Sequence, residues 1–119
     1  MSRASLKGDN VILTEIRSMA NFQDVLRSIG DKLFVVDFFA TWCGPCKQLA
    51  PKFRALIPKH LDVMFAMVDA DKAEQVCEVY GVQGLPTVMI FKNRAKLIAI
   101  LGGDIDVIEA KIQYYKAKG

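Results

Sequence analysis

The sequence predicts an α/β fold: a central mixed β-sheet of about five strands flanked by four helices. Three observations predict it. Apolar runs of strand length alternate with segments whose apolar residues recur at helical spacing. Leu33–Ala40 (LFVVDFFA) is almost continuously apolar, as a central strand covered on both faces is. Near the end, Thr87–Lys92 and Lys96–Leu101 are strand-like and three residues apart, a hairpin signal.

The elements follow in order. Asn10–Ile16 reads as a first strand. Asn21 and Asp24 resemble a capping pair, and Phe22, Val25, Leu26 and Ile29 repeat at helical spacing until Gly30 offers a stop. After the Leu33–Ala40 strand, Leu49, Phe53, Leu56 and Ile57 mark a second helix. Pro51 lies inside it, removing one donor, and is expected to bend it. Val63–Asp69 is a further buried strand and Lys72–Tyr80 a short helix. Past the hairpin, Asp104 can cap a last helix with apolar positions Ile105, Ile108, Ile112 and Tyr115. Strand–helix alternation implies a parallel portion, and the hairpin adds an antiparallel edge.

A chain of 119 residues favours one domain. Residues 10–119 form that domain in this reading, and residues 1–9 a loose extension. Apolar content of 52% against a net charge of +3 excludes disorder by composition. Lys and Arg are scattered apart from the Lys116–Lys118 tail, so no nucleic-acid partner is expected. No apolar run approaches the ~18 residues of a membrane span. The first ten residues lack an apolar signal core, so neither a membrane nor an exported location is expected. Three cysteines are too few for a disulfide scaffold. In a reducing compartment a close pair is more often catalytic or metal-binding than structural.

That pair is Cys43 and Cys46, in FFATWCGPCK at the end of the central strand. Open α/β sheets place their sites outside the carboxyl ends of strands. A disulfide exchanger needs one thiolate to attack and one thiol to resolve the mixed disulfide. A helix N-terminus favours the thiolate through unpaired N–H groups and positive dipole character. Cys43, nearer the end and nearer solvent, is read as the nucleophile, and Cys46, one turn in, as the buried resolving thiol. Gly44 lets the backbone pass closely, Pro45 suits an early helical position, and Trp42 can form an apolar lip. A structural zinc site would need four ligands, for which only Cys77, His60 and carboxylates remain, so no metal is expected. An inert pair of core cysteines is the other alternative.

Asp37 lies in the same strand, six residues before Cys43. Burial should raise its pKa, and a neutralised carboxyl could relay a proton to or from Cys46 through water. The plainer alternative is a buried carboxyl satisfied by hydroxyls. Cys77 reads as a small core position, or as a regulatory thiol if exposed. His60 reads as a surface residue or a charge balancing a helix end. Met64, Met67 and Met89 read as core, and Tyr114 and Tyr115 as divided between packing and solvent.

The sequence Trp42-Cys43-Gly44-Pro45-Cys46-Lys47, with Asp37 before it and Pro51 after it, resembles the thioredoxin family. Gly84-Leu85-Pro86-Thr87, Phe91-Lys92-Asn93 and Gly102 extend the similarity from about Val11 to Lys116. The resemblance implies the thioredoxin fold and a protein-disulfide reductase. Cys43 would attack, Cys46 resolve, and Asp37 carry the proton. It also implies a cis Pro86 facing the cysteines, with the Leu85 backbone pairing with a substrate strand. Trp42, Gly84, Leu85, Pro86 and Gly102, beside Gly44 and Pro45, would form the docking groove. The chain would bind no cofactor and receive electrons from NADPH through thioredoxin reductase, a flavoenzyme. Its targets would be oxidised proteins such as peroxiredoxins, methionine sulfoxide reductases and ribonucleotide reductase. A monomer in the cytoplasm is expected, with mitochondria or nucleus as alternatives. A histidine between the cysteines would make the couple more oxidising; Gly44-Pro45 points to a reductant instead of an isomerase or oxidase. A non-catalytic binding module is the reading from another class.

Three positions depart from the family. Met67 stands where relatives often carry a charge, Arg94 where the hairpin usually has Gly, and Phe39 where bacterial members have Trp.

Overall fold

The computed structural model describes residues 3–6 and 11–118. Its elements run β1 (Arg3–Leu6), β2 (Val11–Ile16), α1 (Met19–Ser28), β3 (Phe34–Phe39), α2 (Gly44–Leu56), a 3₁₀ turn (Ile57–Lys59), β4 (Met64–Asp69), α3 (Glu74–Tyr80), β5 (Thr87–Lys92), β6 (Ala95–Leu101) and α4 (Ile105–Ala117). The sheet order is β1-β2-β4-β3-β5-β6. β4 pairs parallel with β2 and β3, while β5 pairs antiparallel with β3 and β6. The five expected strands are joined by a sixth: Arg3–Leu6, inside the segment set apart as an extension, pairs antiparallel with β2 at the sheet edge. Residues 7–9 of that segment, and Asn10 of the expected first strand, lie outside the described residues.

Strand alternation divides the core between the two sheet faces. Val35, Phe65, Val88 and Ile90 face Leu49 and Phe53 of α2 and Ile108 and Ile112 of α4. Phe34, Val36, Phe38, Val68 and Phe91 face Phe22 and Val25 of α1 and Val76 of α3. On that second face Phe22, Phe34, Phe91 and Tyr80 form an aromatic cluster with ring centroids 4.9–6.0 Å apart. Each fully buried large apolar side chain contributes roughly 1.5–3 kcal/mol, which is what holds both helix layers to the sheet.

Local signals set most boundaries, with three differences. α1 starts a turn earlier than Asn21 suggested, because Ser18 is the cap: its Oγ accepts from Asn21 N–H at 3.0 Å. Asn21 becomes the third helical residue and reaches back, its Oδ1 accepting from Arg17 N–H at 3.3 Å. α3 begins at Glu74 and not Lys72, because Asp69 turns the chain first, accepting from Asp71 N–H on Oδ1 and from Ala73 N–H on its carbonyl. The hairpin loop has two residues, not three: Asn93 and Arg94 both sit at positive φ, 51° and 69°. That is the turn whose twist matches the strands, and Arg94 adopts it without being glycine. Asp104 caps α4 as expected, Oδ1 accepting from Asp106 and Val107 N–H.

Candidate active site

The central strand β3 ends at Phe39, and after three intervening residues the chain enters α2 with Cys43 as its N-cap. The Cys43 Sγ accepts from Cys46 N–H at 3.3 Å, so the free N–H groups of the helix end meet that sulfur. This arrangement, with the helix dipole, stabilises a thiolate on Cys43. Pro45 occupies the first turn, where its missing N–H costs no hydrogen bond. Cys43 and Cys46 are joined as a disulfide, with Cα atoms 5.3 Å apart. α2 continues through Pro51 to Leu56 before tightening into the 3₁₀ turn.

Both cysteines are buried: Cys43 is 6% exposed and Cys46 2%. Cys43 is therefore not the open thiol its position suggested. What separates the two is the recess each adjoins. Cys43 lines a groove of about 350 Å³ with Trp42, Cys77, Val82, Gly84 and Leu85. Cys46 lines a different recess, of about 360 Å³, between α2 and the β2–β4 end of the sheet. The asymmetry between the two sulfurs lies in which side of the molecule each meets.

The groove is built from four chain segments. Trp42 is 69% exposed, with its polar tip tied down: Nε1 donates to Asp71 Oδ2 at 2.8 Å. The Leu85–Pro86 bond is cis. Thr87 Oγ1 donates to Gly84 O at 2.6 Å and braces that loop. Gly102, at φ +99°, donates its N–H to Pro86 O at 2.9 Å and so stands beside the loop. At Gly84 a Cβ would lie 2.9 Å from Leu101 Cδ1, so glycine lets the loop pass under that exposed leucine. The structure thus gathers Trp42, Cys43, Gly84 and Leu85 in the groove, with Pro86 and Gly102 linked behind it. Sequence reasoning missed Val82, Gln83, Ala70 and Cys77 as groove residues. The spacing of Cys77 from Ala73 and Tyr80 pointed inward; the half-buried thiol in fact borders the same groove as Cys43. Burial, and then the nearby carboxylates of Asp69, Asp71 and Glu74, push its thiol pKa up and keep it protonated.

Asp37 sits on β3 with no exposed surface. It shares a face with Val35, the face that α2 covers. Neither carboxyl oxygen has a hydrogen-bond partner among the described residues, so the hydroxyl-satisfied alternative does not hold. Burial pushes its pKa up to about 7. Its register partner on β4 is Met67, which is buried and uncharged. Among the described residues no three His, Cys, Asp or Glu side chains cluster as a metal site. His60 lies far from the cysteines and is buried rather than on the surface. Its Nε2 donates to Glu109 Oε2 at 3.0 Å, and its Nδ1 accepts from Lys116 Nζ at 3.0 Å, which locks the end of α4 to the turn after α2. Lysine can only donate, so this geometry assigns the ring proton to Nε2. No helix among the described residues is long and apolar enough to cross a membrane.

Comparison with known proteins agrees with this geometry. The thioredoxin family model matches residues 13–114. The chain is 43% identical over 101 residues to the thioredoxin of Oryctolagus cuniculus, covering 85% of this chain and 96% of that one. The crystal structure of Fasciola hepatica thioredoxin superposes with a TM-score of 0.84 at 31% identity, over 86% of this chain and 98% of that chain. Schistosoma mansoni thioredoxin gives 0.83 at 39% identity, over 87% and 94%. With a redox-capable cysteine pair on a matching fold, the chain belongs to the thioredoxin family of thiol–disulfide oxidoreductases, which work without a bound cofactor.

Proposed function

We propose that this thiol–disulfide reductase uses Cys43 as its nucleophile, Cys46 as its resolving thiol and Asp37 as the base that frees Cys46. One observation carries the assignment: Cys43 caps α2 and lines the groove, while Cys46 and the Asp37 side of the sheet lie behind it. An oxidised target docks as an extended segment against Trp42 and the Gly84–Pro86 backbone. The Cys43 thiolate attacks one target sulfur, and the target's other sulfur leaves. Cys46 then passes its proton to Asp37, its sulfur attacks Cys43, and the second target thiolate departs. Gly44, Pro45 and Gly102, which lie outside the lining of the groove, would border the docked segment.

The proposed source of electrons is NADPH through thioredoxin reductase. The proposed targets are oxidised proteins such as peroxiredoxins, methionine sulfoxide reductases and ribonucleotide reductase. Backbone-dominated docking, which tolerates varied side chains, supports so broad a set. A monomer in the cytoplasm is the proposed setting. The free thiol of Cys77 suits a reducing compartment.

Insulin reduction tests the roles. Cys43→Ser is expected to abolish turnover. Cys46→Ser is expected to retain the first attack and accumulate a mixed disulfide visible by non-reducing mass analysis. Turnover in Cys43→Ser, or a mixed disulfide trapped on Cys46 when Cys43 is replaced, would reverse the assignment.

A further inference from the structure

If Asp37 takes the Cys46 proton, as proposed above, that proton must then leave a site with no exposed surface. Sheet register decides which groups flank it. Its partner on β4 is Met67 and on β5 Val88, and neither can carry a proton. Past Met67, the same row of the sheet reaches Glu15 on β2. Two inter-strand spacings put Glu15 roughly 10 Å from Asp37, too far for direct transfer and short enough for a brief water chain.

Space for water is present on the Cys46, Met67 and Glu15 side of that path, while Asp37 itself does not line it. The 360 Å³ recess behind Cys46 is lined by Cys46, Met67 and Glu15, with Thr41, Lys47 and Arg54 contributing polar groups. Liquid water occupies about 30 Å³ per molecule and needs two to four polar partners when confined. Glu15 is the one carboxylate lining this recess among the described residues. Its side chain is 28% exposed, so it meets both the recess and solvent, where Arg17 Nη2 lies 3.5 Å away. Among the described residues the charged groups around it are Arg17 on its own chain segment and Lys47 and Arg54 from α2, and β4 presents Met67. The β1 register ends with Arg3 opposite Thr14, one residue short of Glu15.

We propose that Glu15 is a positioning residue that carries the Asp37 proton to solvent through water in this recess. The step balances. The Cys46 Sγ–H proton goes to Asp37, the Cys43–Cys46 bond forms, and the bond from Cys43 to the target sulfur breaks with its electron pair on the target. Asp37 then gives its proton through water to Glu15 and on to solvent, from which the target thiolate is protonated. Asp37 is left as the carboxylate it was before the cycle. The carboxylate that the strand beside Asp37 lacks at Met67 is supplied one strand further out.

The test is single-turnover reduction of a peptide disulfide by the full chain in weakly buffered solution, following release of the first and second peptide thiols. Glu15→Gln is expected to leave first-thiol release unchanged and slow second-thiol release on the order of ten-fold, less than the ~100-fold or more of a group that transfers the proton directly, because Glu15 acts through Asp37 and water. Glu15→Asp, or added imidazole as a mobile proton carrier, should restore it. Second-thiol release at the wild-type rate in Glu15→Gln overturns the proposal, and so does a slowing that imidazole does not relieve. If Glu15→Gln folds poorly, Ala50→Leu narrows the recess with Glu15 in place and must also slow the second release; no slowing overturns the proposal. Asp37→Asn run alongside separates the layers. A wild-type second release in Asp37→Asn sinks both roles, whereas slowing there with none in Glu15→Gln sinks that of Glu15 alone.

Discussion

Asp37 shows how one residue's environment sets its chemistry. With no exposed surface and no hydrogen-bond partner among the described residues, its charge is opposed by desolvation alone, and its pKa rises to about 7. Below that pH it is protonated and cannot take the Cys46 proton; above it the carboxylate can act as base. The rate of mixed-disulfide resolution should therefore climb through about pH 7. Asp37→Asn is expected to remove that rise and to lower the rate at pH 8 by at least about ten-fold. Rapid-mixing measurements of second-thiol release across pH 5–9 check it, and an unchanged profile would show that another group supplies the base. Trp42 was legible as a lip over the cysteines from its place before Cys43. Its anchor Asp71, 29 residues away, was not, because only the return of β4 beside β3 brings them together.

At the level of elements, caps and turns were readable wherever their chemistry is local. Asp104 was recognised because an acidic residue ahead of an apolar helical repeat has one obvious use. Ser18 and Asn21 are both competent caps three residues apart, and the sequence reading took Asn21. The helix takes the earlier one, and Asn21 then serves as its reciprocal partner. The β5–β6 turn shows a propensity rule overridden by pairing. Arg94 holds φ 69°, a region that costs an L-residue roughly 1–2 kcal/mol, because the two strands close on a two-residue loop. Arg94→Gly should recover about 1 kcal/mol, raising the melting temperature by roughly 3–6 °C. Calorimetry checks it; a lower melting temperature would mean that the arginine side chain contributes more than its backbone costs.

On the scale of the whole molecule, Asp37 links redox chemistry to stability. Its pKa rises from an ordinary 3.8 to about 7 in the fold, so the native state holds a proton that the unfolded chain releases between those values. The burial penalty is absent below about pH 4, grows as pH rises through about 7, and is complete above it. A shift of about three units corresponds to a penalty on the order of 4 kcal/mol at alkaline pH. Asp37→Ala should thus be more stable than the wild type at pH 8, and the difference should shrink as pH falls towards 5. Urea unfolding midpoints at the two pH values check it; an equal effect at both would mean that the substitution acts through packing and not charge. The fold tolerates the penalty because two apolar layers, one on each sheet face, hold β3 in place.

The Gly84–Thr87 loop stood out through its resemblance to the thioredoxin family, whereas element order, the cysteine pair at a helix start and the carboxylate in the central strand were legible in the chain before it folds. They are consequences of short-range periodicity, capping and turn chemistry, which neighbouring residues carry among themselves. Folding added what no neighbour could specify. It placed Cys43 and Cys46 on different recesses, turned Cys77 from a core position into a groove wall, buried His60 between Glu109 and Lys116, and aligned Glu15, Met67 and Asp37 in one row. Each of these depends on which strands pair and in what register. A one-residue slip in register would turn every side chain of a strand to the opposite face, and for strands joined by long connections that choice is settled only when both sheet faces pack.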